Sequence, residues 1–300
     1  MEEGRPSLTA IGSAMFRAAH LLLDDDPKIL QDGLALGLSG FANETAFRAA
    51  LEARHEEVAQ RFTPEYAQFH FRSLRAIMVV RSRYAEDELA AAIQRGVTQY
   101  VLLGAGLDSF AYRRRDLSSV LRVFEVDYPA TQQWKRTRLR ELAVALPDTL
   151  TFVPVDFERQ TLREALRTGG YRVEEPAFFS WLGVTQYLTA EATRKTLQEI
   201  AALAPGSEIV FEYTVPEATL AGEERQYVAC CKARSAERGE PWVGFFEPTR
   251  LVTLVKEVGF IEVTEVSPDE LNHRYFPDRA DGLRTPQAHH LVKARVGKGP

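Results

Sequence analysis

From Gln99 onward, short apolar runs that stop at a glycine or an acid alternate with stretches of helical character. YVLLGAG (100–106) stops at glycine, VLRVFEVD (120–127) at an acid, and LTFVPVDF (150–157) near one. AFFSWLGV (177–184) and EIVFEYT (208–214) repeat the texture. Between the last two lies TAEATRKTLQEIAALAPG (189–206), with Thr189 as N-cap and Glu191 in the first turn. Leu197, Ile200, Ala201 and Ala204 mark its core face, and Pro205-Gly206 closes it. Strands alternating with helices predict an α/β fold with a mostly parallel sheet.

The flanks differ. Residues 11 to 95 read as helical, with Gly96 as a stop. Residues 217 to 247 interrupt the alternation and suit an inserted helical lid. EPTRLVTLVKEVGF (247–260) predicts a helix with Pro248 in its first turn and Gly259 past its end. IEVTEVS and HHLVKARV then read as two strands joined by a polar loop, an antiparallel pair at the end of the sheet. The expected division is a helical cap over 1–95 and a core over 96–300 with the lid at about 217–247, together one structural unit.

The net charge of -5 and the lack of a basic stripe argue against nucleic acid as a partner. Cys230 and Cys231 are neighbours, which excludes a disulfide framework, and no Cys-x-x-Cys pair suggests a metal. No apolar run approaches membrane-spanning length, and the start lacks the pattern of a signal peptide. The expected location is the cytoplasm, with no membrane partner. Oligomeric state is not legible.

In open α/β sheets, ligands bind at the carboxyl ends of the strands. That rule selects Gly104 to Ser109, Asp127, Asp156 with Phe157, and Gly183. Gly104 and Gly106 would let a ligand approach the backbone, or would simply form a tight turn. Asp127, about 20 residues on, can accept both ribose hydroxyls, or cap the helix that follows. Together they point to a nucleoside. A dinucleotide motif would need Gly or Ala where Ser109 stands, and phosphates where the Asp108 carboxylate stands. S-adenosylmethionine has no phosphate and carries a sulfonium cation, so a methyl donor is favoured over NAD. Asp156 follows the third strand, where it would contact the base or order the loop. Arg81 reads as a clamp for the donor's carboxylate or as an exposed helical arginine, with Arg83 as its rival.

These segments carry a resemblance. TAIGSAMFRAAH, VVRSRYAEDEL, VTQYVLLGAGLDSFAYR, VFEVDYPATQQWKR, FVPVDF, WLGVTQYL and GEPWVGFFEP resemble the leucine carboxyl methyltransferase family, and more closely its bacterial branch of S-adenosylmethionine-dependent enzymes. The resemblance covers nearly the full length. It implies a class I methyltransferase (Rossmann-like) fold, with a seven-stranded, mostly parallel sheet whose last strand is antiparallel. It also implies an N-terminal helical cap. By the same resemblance Arg81 binds the donor carboxylate, Gly104 and Gly106 face its methionine end, and Asp127 holds the ribose. Asp156 and Phe157 frame the adenine.

One position departs from the pattern. The family has Glu in its Trp-Glu-Gly-Val motif as a donor contact, and here Leu182 occupies it. Glu125 is the nearest substitute acid by motif. Arg17 is a loose match to a basic contact in the cap. Tyr187 matches a family tyrosine that would touch the acceptor or sit in the core. Phe245 and Phe246, with Trp242, would floor a substrate pocket or pack the lid.

No catalytic base stands out. Of the histidines at 20, 55, 70, 273, 289 and 290, only His20 and His70 are plausible, and His289 and His290 fall on the last strand, away from the expected site. A carboxylate acceptor would need no base, since it is ionised near neutral pH with a pKa of about 4. The expectation is an O-methyltransferase acting on a carboxylate or acidic hydroxyl of a small molecule, of the kind met in secondary metabolism. The alternatives are methylation of a protein's C-terminal carboxylate and a non-catalytic S-adenosylmethionine-binding protein.

Overall fold

A computed structural model describes residues 7–155 and 160–297. Helices come first: α1 (Leu8–Leu23), α2 (Ala35–Leu38), α3 (Glu44–Arg61) and α4 (Pro64–Gln94). Local chemistry sets their starts. The side chains of Ser7, Asn43 and Thr63 each accept an N–H from the first turn of α1, α3 and α4. Pro64 opens α4, where its missing N–H costs nothing. At 31 residues α4 runs about 46 Å. Its first half packs with Met15, Phe16, Phe47 and Leu51 of the neighbouring helices. Its second half packs on the sheet through Ile77, Val80, Tyr84 and Leu89.

The alternating region follows as β1 (Gln99–Leu103), α5 (Phe110–Arg113), β2 (Arg122–Asp127), α6 (Pro129–Glu141) and β3 (Leu150–Pro154). Then come α7 (Leu162–Thr168), β4 (Ala177–Trp181), α8 (Ala190–Ala201) and β5 (Glu208–Thr214). The chain ends with α9 (Gly222–Glu237), α10 (Pro248–Glu257), β6 (Phe260–Val266), α11 (Pro268–Tyr275) and β7 (His289–Val296). The seven strands form one sheet in the order β3-β2-β1-β4-β5-β7-β6. The first five strands pair parallel, and β7 runs antiparallel between β5 and β6. The α/β class and the antiparallel last strand are therefore as the sequence predicts.

The sheet is covered on both faces, which is why its central strands read as unbroken apolar runs. Val101, Leu103, Phe124, Phe179 and Phe211 face α7, α8 and α10. Tyr100, Leu102, Val123, Phe178 and Val210 face α4 and α11.

One sequence reading needs correction. The link between the last two strands is not merely a polar loop, because it contains α11. Its signals were present: Ser267 as cap, Pro268 at the first turn, acids then bases along it. Only Pro268, Leu271 and Asn272 are buried, so the apolar stripe is too short to stand out. Within 217–247, α9 spans Gly222–Glu237. The chain after it, however, is drawn into the body of the protein: Val243 donates to Gln186 O at 2.7 Å, and Phe246 to Thr214 O at 3.0 Å.

Candidate active site

A cavity of about 710 Å³ opens at the carboxyl ends of β1, β2 and β4 and continues between α1, α4 and α9. That volume is in the range of small-molecule sites.

The turn after β1 forms its floor. Gly104 (φ 66°) and Gly106 (φ 47°) take left-handed conformations that other residues avoid. The N–H groups of Gly104 and Ala105 both donate to Val126 O, at 2.9 and 3.0 Å, tying the turn to β2. Gly106 N–H donates to Oδ2 of Asp127, and Tyr128 N–H to Oδ1 at 2.6 Å. Burial raises the pKa of Asp127, and these two N–H groups pull against it. Asp127 thus both braces the turn and lines the cavity. Asp108 lines it too, while accepting Phe110 N–H at 2.7 Å as a cap.

Space explains Gly104 as well. A Cβ there would lie 2.5 Å from Cγ2 of Val184. Gly104→Ala is expected to cost about 2 kcal/mol or more and to lower the Tm by at least about 3 °C, with weakened donor binding. Gly33→Ala, with open space around it, is the control and should leave the Tm unchanged. Thermal unfolding of the two variants checks this.

Arg81 is not an exposed helical arginine: it is 7% exposed and lines the cavity. Its Nη1 donates to Oε2 of Glu212 at 2.7 Å, and its Nη2 reaches Ser13 Oγ at 3.4 Å. Gly183 lies over the guanidinium, where a Cβ would come within 2.7 Å of Nη1. Glu212 is fully buried in β5. Its Oε1 stands 2.8 Å from His289 Nδ1 on β7, too oblique for an aligned hydrogen bond but close enough for electrostatic attraction. Burial alone would raise the Glu212 pKa. Arg81 and then His289 outweigh it and hold the carboxyl at about 2.

His289 lines the cavity, contrary to its expected place away from the site. Sequence reasoning missed Glu212 and misplaced His289. One signal existed: all seven positions of β5 are buried, so an acid among them needs a cationic partner.

Leu182 also lines the cavity. Glu125 does not substitute for a carboxylate there. It lies behind β2, 1% exposed, holding Lys135 Nζ at 2.7 Å and the Tyr112 hydroxyl at 3.1 Å. Asp156 and Phe157 lie outside the described residues. Arg17 lines the cavity, with its Nε on Asp32 at 2.8 Å and Nη2 on Leu107 O at 2.6 Å. It therefore braces the glycine turn from the cap side.

In the part bounded by α4 and α9, Tyr187 and Trp242 line the cavity. Phe245 and Phe246 do not. They pack into the core beside Tyr227 and Leu251, the structural alternative to a substrate floor. His20 is fixed by Asp24 at 2.9 Å and by Ile29 N–H at 3.0 Å, and it lies off the cavity. His70 lines the cavity, is 2% exposed, and has no partner for Nδ1. Burial, then Arg234, lowers its pKa to about 4, so it is neutral at pH 7.

Comparisons with known proteins show the family and the fold. The profile of the leucine carboxyl methyltransferase family matches residues 10–201. A Bacillus subtilis protein named "Putative S-adenosyl-L-methionine-dependent methyltransferase YktD" is 32% identical over 309 positions, covering 98% of this chain and 99% of its own. A Mycobacterium marinum protein with the same description is 32% identical over 223 positions, covering 74% and 69%. Among solved structures, a "putative methyltransferase" from Thermobifida fusca shares the fold, with a TM-score of 0.59 at 18% identity, covering 99% and 97%.

Proposed function

The chain belongs to the leucine carboxyl methyltransferase family, and from that premise we propose that it transfers a methyl group from S-adenosylmethionine to an oxygen of a small molecule. The acceptor oxygen belongs to a carboxylate or an acidic hydroxyl. The observation that carries this reading is the continuity of the cavity, from the glycine turn at the strand ends to the space beneath α9.

The residues suit the donor. Asp127 takes N–H groups on its two oxygens and keeps lone pairs for ribose hydroxyls. Gly104 and Gly106 carry no side chain of their own between the backbone of the turn and the cavity. Arg81, steadied by Glu212, offers its remaining N–H groups to a carboxylate. When bound, the donor supplies an electrophilic methyl on a sulfonium. The chain supplies alignment, which can be worth about 7–11 kcal/mol. An ionised carboxylate needs no base. Burial leaves His70 a weak base, with its pKa lowered to about 4, which further favours an ionised carboxylate over a hydroxyl as acceptor.

The walls from α1 and α9 favour a small molecule over a protein tail. Among the described residues, no helix is long and apolar enough to cross a membrane.

Calorimetry with S-adenosylmethionine and NAD, followed by a labelled-methyl assay over a panel of small acids and phenols, tests the proposal. Donor binding without NAD binding is expected, with label entering a product. If the donor does not bind, the reading fails. Donor binding with no labelled product from the native chain or Leu182→Glu would instead favour a binding protein.

A further inference from the structure

Three arginines line the cavity where α9 faces α1 and α3: Arg54, Arg234 and Arg238. Such a cluster normally comes with acids, because like charges held close repel. Here the nearby acids, Glu57, Glu237 and Glu240, are poorly placed to pair with them. Arg234 reaches Glu57 at 3.0 Å, but Glu57 is 65% exposed, so the pair is wet and weak. Arg54 Nη1 ends on the sulfur of Met15 at 2.6 Å, a poor acceptor. Arg238 lies against α1, with Nη1 3.6 Å from where a Cβ on Gly12 would be. Neither Arg54 nor Arg238 has an ion-pair partner among the described residues. Glu240, on the same loop, is engaged by the Thr9 hydroxyl at 2.6 Å.

The electrostatics agree. Burial, then Arg238 and Arg234, lowers the pKa of Arg54. Burial, then Arg234, lowers that of Arg238, with Glu240 opposing. Trp242 Nε1, a buried donor of the cavity wall, also has no partner. Arg54 and Arg238 therefore present guanidinium groups to the cavity with no carboxylate paired to them among the described residues, while Glu57, Glu237 and Glu240 act on the cluster from farther off. The remaining wall is apolar, from Phe16, Phe71, Leu74 and Tyr227.

We propose that Arg54, Arg234 and Arg238 form an oxyanion subsite that anchors the methyl acceptor, and that the acceptor is an apolar molecule with a carboxylate or phosphate head. This rests on reading the cavity as a methyl-transfer site. An anchored anion also offsets the repulsion between the arginines and the donor's sulfonium. The anchored oxygens are not the ones methylated, because charge-assisted bonds from guanidinium groups withdraw the electron density that attacks a methyl.

Calorimetry tests the subsite with ligands of one shape and different heads: 4-phenylbutyrate, its neutral amide, and 3-phenylpropyl phosphate. Each is titrated with and without S-adenosylhomocysteine. The carboxylate or the phosphate is expected to bind about 10- to 100-fold more tightly than the amide, and whichever is tighter identifies the head group. In Arg54→Gln/Arg238→Gln that preference should vanish while S-adenosylhomocysteine affinity stays unchanged, which also shows that the variant is folded. The proposal is overturned if the amide binds as well as both anions, if no ligand binds, or if the double variant keeps the preference. Failure of S-adenosylhomocysteine to bind the native protein would strike the methyltransferase reading instead, because the anion preference is measured without it as well.

Discussion

Asp127→Ala is expected to lower S-adenosylmethionine affinity by at least about 100-fold, because hydrogen bonds to a charged group contribute about 1.5–3 kcal/mol each and the proposed donor site gives Asp127 two ribose hydroxyls to accept. A second effect adds to this. The same carboxylate holds the N–H groups of Gly106 and Tyr128, so its removal also frees the turn that faces the donor. Asp127→Asn separates the two contributions, since its amide oxygen keeps one acceptor without charge. It should retain more affinity than the alanine variant. Burial raises the pKa of Asp127, so donor affinity in the native protein should begin to fall on acidification before an ordinary aspartate would protonate. Unchanged calorimetric affinity in Asp127→Ala would remove Asp127 from the donor site.

Glu212→Gln should destabilise the fold by about 3 kcal/mol or more, because it leaves Arg81 as a buried charge without a counterion. Adding Arg81→Met should restore much of that stability, since an apolar pair can replace a buried ion pair. Donor affinity should not return, because the guanidinium is then missing. Denaturant titration and calorimetry on the single and double variants separate packing from recognition.

The same pair predicts a pH dependence. Glu212 is held at about 2, below the ordinary glutamate value of 4.5. Its stabilisation is complete above about pH 4.5 and is lost as pH falls towards 2. His70, lowered from 6.5 to about 4, subtracts stability between those two values, because the unfolded chain takes the proton first. Glu212→Gln should therefore flatten the stability curve below about pH 4.5 and leave its slope between pH 6.5 and 4.5 in place.

The strands were legible because a sheet buried on both faces demands unbroken apolar runs, and because its ligand-facing ends demand glycine or acid. Gly104, Gly106 and Asp127 fall on those ends and lie together at the mouth of one cavity. Arg81 carried no such signal. It is separated from Glu212 by 131 positions, and only the packing of α4 on β5 unites them. Arg54 is equally remote from Arg234 and Arg238, on a helix whose placement against α9 depends on the whole fold. Phe245 and Phe246 look alike as candidates for a substrate floor, and only the turn of the backbone into the core separates them from Trp242. α11 was lost for a different reason, its buried stripe being three residues long.

The unbroken course of α4 sets a length scale for the chemistry. His70 and Arg81 sit on that one helix, 11 positions or about 16 Å apart along its axis. Both line the cavity, and in the proposed reading one faces the acceptor and the other the donor. Since a helix neither stretches nor shortens under modest load, this spacing behaves as a ruler. Acceptors would then be sorted by reach: only a molecule of the right length can touch its anchor and present its oxygen to the methyl at the same time.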